Sequence, residues 1–422
     1  MIARWELLVS IVIASSLGSC TSEREQRVVR VWHFWSEPAQ ERAFRSLVDS
    51  FERKHPNVRI ELVPLLWSDG KAKLQIALAS NAPPDVVHIG AEWVADFAPA
   101  LLPIKRAQFD PFLDSAFASL GVCDDGIRYA IPWTVNARVL FVHTALGIDS
   151  TVSWGEFLAR IRAFHSPPNR YGIGFCVSDP HNVLKRVLPW VWAAGGHLFA
   201  TVPWSAAADS TLVAALAQIE MLLPASINEQ SRQLDARVRR GQLGAVLSGV
   251  WLLADSAVCS QYRVLPTIPH LPGTTGASIL SGDCYAIARG ASNREDAFAF
   301  VKHLATWNQA EVFCTTVPDA GFPAFRPPSE RARDRLLDRA SHWRAAYAQT
   351  RNSVLLPRAI SFLEAERIVE EQLTLFLYRQ QSSDETVAAM KTKLSALGKV
   401  RADSNPVVPT VPYQSERVAV VH

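Results

Sequence analysis

Val28-Val29-Arg30-Val31-Trp32-His33-Phe34-Trp35-Ser36-Glu37-Pro38 opens the stretch that decides the fold. β-Branched residues dominate Val28 to Trp32, which predicts a strand. Ser36-Glu37-Pro38 predicts a helix start, with Ser36 as cap and an acid and a proline in the first turn. Phe44, Leu47, Val48 and Phe51 then fall at i, i+3, i+4 and i+7, so that helix has one apolar face. His55-Pro56-Asn57 stops it, and Val58-Arg59-Ile60-Glu61-Leu62 alternates as a strand does. Lys71 to Ser80 reads as a helix closed by Asn81-Ala82-Pro83-Pro84, and Asp85-Val86-Val87-His88-Ile89 as a further strand. Strand, helix, strand, helix, strand in this order predicts an α/β fold, a mostly parallel sheet with helices on its faces.

The rest of the chain repeats this grammar less regularly. Val139 to Val142 is an apolar strand, and Ser153-Trp154-Gly155-Glu156 has the form of a capping box before Phe157, Ile161 and Phe164. Leu243 to Leu247 reads as a strand after the helix end at Arg239-Arg240-Gly241-Gln242. Pro266 to Pro272 is a proline-rich connection, and Ser292-Asn293-Arg294-Glu295 is a second capping box. Gly321-Phe322-Pro323 and Arg326-Pro327-Pro328 mark a turn and a crossing, Ser329 to about Leu397 is helical, and Asp403 to Tyr413 is an extended tail.

A chain of 422 residues, 49% of them hydrophobic, has material for two domains. A net charge of +3, spread along the chain, argues against nucleic acid as the main partner. Tryptophan outnumbers tyrosine, 13 to 7, and a flat indole is favoured where an apolar face meets a ligand. Leu7 to Ala14 is an apolar run after Arg4, shorter than the roughly 20 residues that span a bilayer, and it ends in small residues like a secretory signal. Leu17-Gly18-Ser19-Cys20 resembles a bacterial lipobox, which implies cleavage before Cys20, lipid on its thiol and a membrane-anchored position outside the cytoplasm. Cys123, Cys176, Cys259, Cys284 and Cys314 have no CxxC spacing, so no zinc or thioredoxin site is expected. Their odd count leaves at least one thiol free and is compatible with one bridge. No metal and no cofactor is expected.

Six ordered segments carry a family resemblance. They are Phe51 to Val58, Leu78 to Val86, Asp125 to Pro132, Trp154 to Phe157, Arg240 to Val246, and Ser281 to Ala288. Together they resemble the bacterial extracellular solute-binding proteins of the maltose-binding type, the receptors of carbohydrate ABC importers. The resemblance implies a two-lobed periplasmic-binding-protein-like fold of type II, with discontinuous lobes joined by a hinge. By position, residues 1–19 would be the signal and 20–27 a lipidated tether. Lobe one would be 28–136 and 280–325, lobe two 137–279 and 326–400, and 401–422 a tail. It also implies a monomer whose partners are a carbohydrate or other small solute, ABC permease subunits and, through the anchor, a membrane. The family's Tyr-Asn-Lys run at the crossing is replaced by Leu140-Phe141-Val142-His143-Thr144.

A sugar presents apolar C–H faces and a rim of hydroxyls, so its site needs flat aromatic rings and a few fixed polar groups. His33 and Trp35 share one face at the end of the first strand, where ligands gather in open α/β sheets. Trp67 precedes the helix at Lys71, and Glu92 and Trp93 follow the strand at Asp85 to Ile89. Trp133 and Asn136 flank the expected crossing, and Trp192 precedes Gly195-Gly196. Trp251 is a stacking candidate from lobe two, and Gly282-Asp283 lies where the chain re-enters lobe one, with Asp283 able to accept two hydroxyls. For each of these residues the competing role is packing, capping or a turn. A non-sugar solute such as a glycerol phosphoester would want convergent cations; Arg138 and Arg289 lie near the expected cleft but form no cluster. An anchored carbohydrate-active hydrolase is the rival class. It would need paired carboxylates roughly 5–10 Å apart, for which Glu92 and Asp283 are the candidates. The chain has no Gly-x-Ser-x-Gly, His-Glu-x-x-His or Walker motif.

Overall fold

The computed structural model describes residues 26–67, 69–199, 210–265, 268, 277–338, 341–358 and 362–402. The signal region with Cys20, nearly all of Pro266 to Pro272, and the tail beyond 402 lie outside the described residues. Twelve strands are present among them: β1 (Arg27–His33), β2 (Val58–Pro64), β3 (Val86–Gly90), β4 (Ile131–Ala137), β5 (Val139–His143), β6 (Tyr171–Cys176), β7 (Ser226–Glu229), β8 (Leu243–Ser248), β9 (Tyr262–Leu265), β10 (Ser278–Ile287), β11 (Phe322–Pro323) and β12 (Ser353–Val354). They form two sheets flanked by helices, one per lobe. The first has the order β11-β4-β10-β3-β1-β2 with β12 added on β10, and the second the order β7-β6-β8-β5-β9.

The opening stretch folds as its pattern predicts. β1 pairs in parallel with both β2 and β3. The helix Pro38–Glu52 buries Phe44, Leu47, Val48 and Phe51 against this sheet. Further along, β10 runs antiparallel to both β3 and β4, so the first sheet is mixed. Two helix starts differ from the local reading. Glu37, not Ser36, caps Pro38–Glu52, and its amide donates to the Gln40 side chain at 3.2 Å. At Arg294–Leu304 the buried Asp85 replaces the expected Ser292 box. One of its oxygens accepts from the amides of Ser292 and Asn293 at 2.8 and 3.1 Å, and the other from Arg30 at 2.9 Å. A carboxylate two hundred residues away in sequence leaves no local signal. The long helical stretch after Ser329 is broken into Glu330–Leu337, Ser341–Arg351, Phe362–Leu377 and Ser383–Ala402. β12 precedes Pro357, which a helix interior would not tolerate, and Arg379 takes a left-handed φ of 57° before the last helix.

The core of the first lobe is aromatic. Trp133 lies 4.7 Å from Phe313 and 5.2 Å from Tyr285, centroid to centroid, and Trp35 lies 4.9 Å from Phe313. Trp133 is 1% exposed, and its indole N–H donates to the carbonyl of Leu304 at 3.0 Å. Truncation here empties a packed volume and orphans that carbonyl. Trp133→Ala should lower unfolding free energy by about 3–5 kcal/mol in a urea titration. A loss below about 1 kcal/mol would show that Trp133 is not part of the core.

Candidate functional site

The strand directions bring one set of ends together. Asn136 at the end of β4 lies opposite Ser281 on β10, and Asp283 lies opposite Gly90 at the end of β3. In the second sheet Val139, the first residue of β5, lies opposite Ser248, the last of β8. Arg138 alone stands between β4 and β5. The carboxyl ends of β3, β4 and β8 therefore face one another across Arg138, which is where open α/β sheets place ligands.

Around this crossing the lobes meet through side chains. Glu92, just after β3, forms an ion pair with Lys185 of the helix Asn182–Ala193, which follows β6. Both partners are largely buried, and the opposite charge of Lys185 holds the Glu92 carboxyl down against the desolvation that would raise it. Lys71, after β2, lies 3.3 Å from His181 Nε2, and its ammonium stands 5.4 Å over the Trp93 ring. Trp93 packs at 5.4 Å on His181 and at 5.6 Å on Trp67, which itself stacks on Phe34 at 4.3 Å. Trp67 is 48% exposed and Trp93 1%, so one indole continues the other from the interior to solvent. Ser178 and His181 hold left-handed φ values of 52° and 65°. Such strain in non-glycine residues concentrates at functional loops.

A second cluster surrounds Trp251. Its indole N–H donates to Asp235 Oδ2 at 2.7 Å, and the Arg138 and Arg186 guanidinium carbons lie 4.8 and 5.8 Å from its ring centroid. Asp235 also accepts from Arg186 Nη2 at 3.0 and 3.2 Å and from the Ser248 hydroxyl at 2.9 Å. A Cβ at Gly249 would sit 1.9 Å from the Trp251 ring, so the glycine is what lets the indole fold over its own strand end.

The expected site residues divide accordingly. Trp67, Glu92, Trp93, Asn136 and Trp251 stand at the junction, Asn136 Oδ1 accepting from Arg138 Nη1 at 3.1 Å. His33, Trp35 and Trp133 do not face it, because the alternation at the end of β1 turns His33 and Trp35 under the helix Pro38–Glu52. His33 packs at 5.0 Å on Phe44, and burial pushes its pKa down to about 3, leaving a neutral ring. Trp35 stacks on His88 at 5.0 Å and donates to Tyr285 Oη at 3.1 Å. Both oxygens of Asp283 are engaged within lobe one. His88 Nδ1 accepts from the Phe34 amide at 3.0 Å, so its other nitrogen carries the proton and donates to Asp283 Oδ1 at 3.0 Å. Thr134 donates to the other oxygen at 3.0 Å. Gly282 faces inward, since a Cβ there would meet the Thr134 carbonyl at 2.8 Å. Trp192 donates to the Leu198 carbonyl at 3.0 Å, at the far end of its helix from Lys185. Arg289 is exposed and donates to the Pro99 carbonyl at 3.1 Å, away from the crossing.

The sequence reading passed over Lys71, His181, Lys185, Arg186, Asp235, Glu366 and Glu370. Glu366 meets His181 Nδ1 at 2.5 Å. Glu370 accepts from the amides of His181 and Leu184, both at 3.0 Å, and so closes the amino end of Asn182–Ala193. Glu366 and Glu370 at i and i+4 among apolar neighbours were a readable signal: two acids on the buried face of a helix need partners. Among the described residues no group of side chains is arranged to hold a metal, and no helix is long and apolar enough to cross a membrane.

Three comparisons bear on this geometry. The family described as bacterial extracellular solute-binding protein matches residues 35–306. An uncharacterized lipoprotein in the oleD 5' region of Streptomyces antibioticus is 26% identical over 180 residues, 39% of this chain and 38% of that protein. An uncharacterized ABC transporter extracellular-binding protein of Pyrococcus horikoshii is 30% identical over 98 residues, 20% of this chain and 22% of that one. The chain thus spans well under half the length of these curated relatives. The GacH receptor of Streptomyces glaucescens, solved unliganded and with acarbose, superposes with a TM-score of 0.74 at 21% identity, covering 90% of this chain and all of that one. Maltose-bound MalE3 of T. maritima gives 0.72 at 18% identity, over 88% of this chain and 99% of that one. These likenesses establish the two-lobed fold.

Burial and the neighbouring Glu366 carboxyl push Glu370 up from 4.5 to about 8 despite its two amide donors. The folded chain therefore keeps a proton on Glu370 at pH values where the unfolded chain has released it. This group's contribution to stability should fall as pH rises from about 4.5 to about 8 and level off above. Melting curves across that window should show a flatter profile for Glu370→Gln than for the parent. Identical slopes would remove Glu370 from the account.

Proposed function

The chain belongs to the bacterial extracellular solute-binding protein family, and on that premise we propose that it is the substrate-binding lipoprotein of an ABC importer. It captures a sugar or oligosaccharide between its lobes and hands it to membrane permease subunits. The observation that carries this reading is the placement of Trp67 and Trp93 at the strand ends of one lobe and Trp251 at those of the other, among fixed polar groups. Indole faces suit the apolar faces of a pyranose ring. GacH and MalE3, which share the fold, were solved with acarbose and maltose. The lobes of this reading are residues 28–136 and 280–325 against 137–279 and 326–400, with β12 crossing back from the second stretch to pair with β10. Ser341–Arg351 bridges them, with Trp343 on Phe322 and His342 on the Tyr262 carbonyl.

Glu92 is paired with Lys185, and Asp283 accepts from His88 and Thr134, so both candidate carboxylates have partners within the fold. This favours a receptor over a hydrolase. A hinged receptor closes because its ligand touches both lobes only in the closed form, and only that difference drives the motion.

An aromatic face is worth about 0.5–1.5 kcal/mol beyond area burial, so Trp251→Ala should cost on the order of 2 kcal/mol, near thirtyfold in affinity. Gly249→Ala should weaken binding in the same direction, because its methyl takes the space of the Trp251 ring. Calorimetry with the tightest member of a neutral oligosaccharide panel, beside melting curves, separates binding from folding. Normal affinity in Trp67→Ala, Trp93→Ala and Trp251→Ala alike would end the aromatic-clamp reading.

Leu17-Gly18-Ser19-Cys20 supports an anchor on Cys20, with Thr21 next to it permitting the outer membrane of a two-membrane cell. Mass spectrometry of detergent-extracted protein should find a mature chain beginning at a lipid-modified Cys20. A soluble product with an unmodified Cys20 would exclude it.

A further inference from the structure

We propose that the solute carries an anionic group, a carboxylate or a phosphate, that Arg138 and Arg186 recognise beside Trp251. This rests on the reading of the chain as a saccharide receptor and names the class of saccharide: acidic rather than neutral. Three features of the crossing carry it.

The first is charge. Three cations, Arg138, Lys185 and Arg186, face two carboxylates, Glu92 and Asp235. Lys185 occupies Glu92, and Arg186 occupies Asp235. Arg138 has a neutral partner, the Asn136 side chain. Asp179, the next carboxylate toward Cys176, is taken up by the Ser231 amide at 3.0 Å and the Asn182 side chain at 3.2 Å. Arg138 is the one of these three cations with no carboxylate at ion-pair distance. Burying an unpaired charge is costly, so a fold keeps one where something else supplies the partner.

The second feature is unspent donors. Arg138 and Arg186 are 5% and 2% exposed. Arg138 Nε, Arg186 Nε and Arg186 Nη1 are buried without a hydrogen-bond partner, and so is the hydroxyl of Ser281, across the sheet from Asn136. Buried polar groups are nearly always satisfied. Unsatisfied N–H groups on two guanidiniums at one junction mark where acceptor oxygens belong, and guanidinium donors fit carboxylate and phosphate oxygens best.

The third feature is position. Arg138 is the single residue between β4 and β5, and Arg186 sits beside Lys185, which reaches lobe one. Both flank the Trp251 ring. One sugar ring on that indole would bring a substituent on its edge to both guanidiniums. Burial and the nearby Arg186 charge pull the Arg138 pKa down to about 10, which leaves it charged at neutral pH.

The test is calorimetry and thermal shift on the full chain with matched probes: maltotriose and cellobiose as neutral sugars, digalacturonate as a carboxylate, glucose 6-phosphate and glycerol 3-phosphate as phosphates. An acidic probe should bind at least about tenfold tighter than the neutral ones. Whether the winner is digalacturonate or a phosphate distinguishes the two sources of the anion. In Arg138→Gln the ratio of acidic to neutral affinity should fall toward one, and Arg138→Lys, which keeps the charge, should retain most of it. Melting curves confirm that each variant folds, and the comparison on the parent chain depends on no variant. Equal or tighter binding of a neutral sugar would overturn this inference while leaving the receptor reading intact. No binding of any saccharide, neutral or acidic, would overturn both.

Discussion

One residue, Arg138, carries the chain from the last position of one sheet to the first position of the other. A connection that short keeps the two sheet ends adjacent. β4 must finish where β5 starts, and the antiparallel partners β10 and β8 fix which residues stand opposite, Ser281 against Asn136 and Ser248 against Val139. Everything at the junction follows from that constraint. Glu92 arrives because β3 ends beside β10, Trp251 because β8 ends beside β5, and Arg138 because it is the connection itself.

The chemistry at the junction divides by lobe. Lobe one supplies apolar surface: Trp67 stacks on Phe34 and meets Trp93 edge-on, an aromatic wall running out to solvent. Lobe two supplies oriented charge: Asp235 gathers Arg186, Ser248 and Trp251 onto one carboxylate and so fixes the indole's direction. Glu92 with Lys185 and Lys71 with His181 join the two sides. These are the contacts that a separation of the lobes would break, whereas the bonds of Asp235 and of Asp283 lie within single lobes. In the proposed receptor the few inter-lobe pairs are what opening would break, and the within-lobe networks would keep each half rigid.

Much of this was legible in the sequence, and the part that was not has a physical reason. Phe44, Leu47, Val48 and Phe51 announced their helix face because amphipathic periodicity is a local property. The strand ends that meet at the junction could be placed because β-α-β order restricts topology. Side-chain direction at those ends could not. Trp35 and Trp93 both follow a strand closely, yet Trp35 turns inward to Tyr285 and His88 while Trp93 reaches His181 across the lobes. That choice depends on what packs above each strand, which is tertiary. Asp283 had the right position for a ligand group, and its long-range partners His88 and Thr134 engage both of its oxygens within lobe one. Arg186, Asp235, Glu366 and Glu370 were missed because each gains its role from a partner on another element. Buried charge at helical spacing was the only trace of them in the chain itself.

The central claim is that two rigid lobes close on a solute held at the Arg138 crossing. The most direct measurement is small-angle scattering on the mature chain, alone and with a saturating amount of the saccharide that gives the largest thermal shift. The account predicts a smaller radius of gyration with the saccharide bound, reached without loss of secondary structure. An unchanged or larger radius at saturation would contradict it.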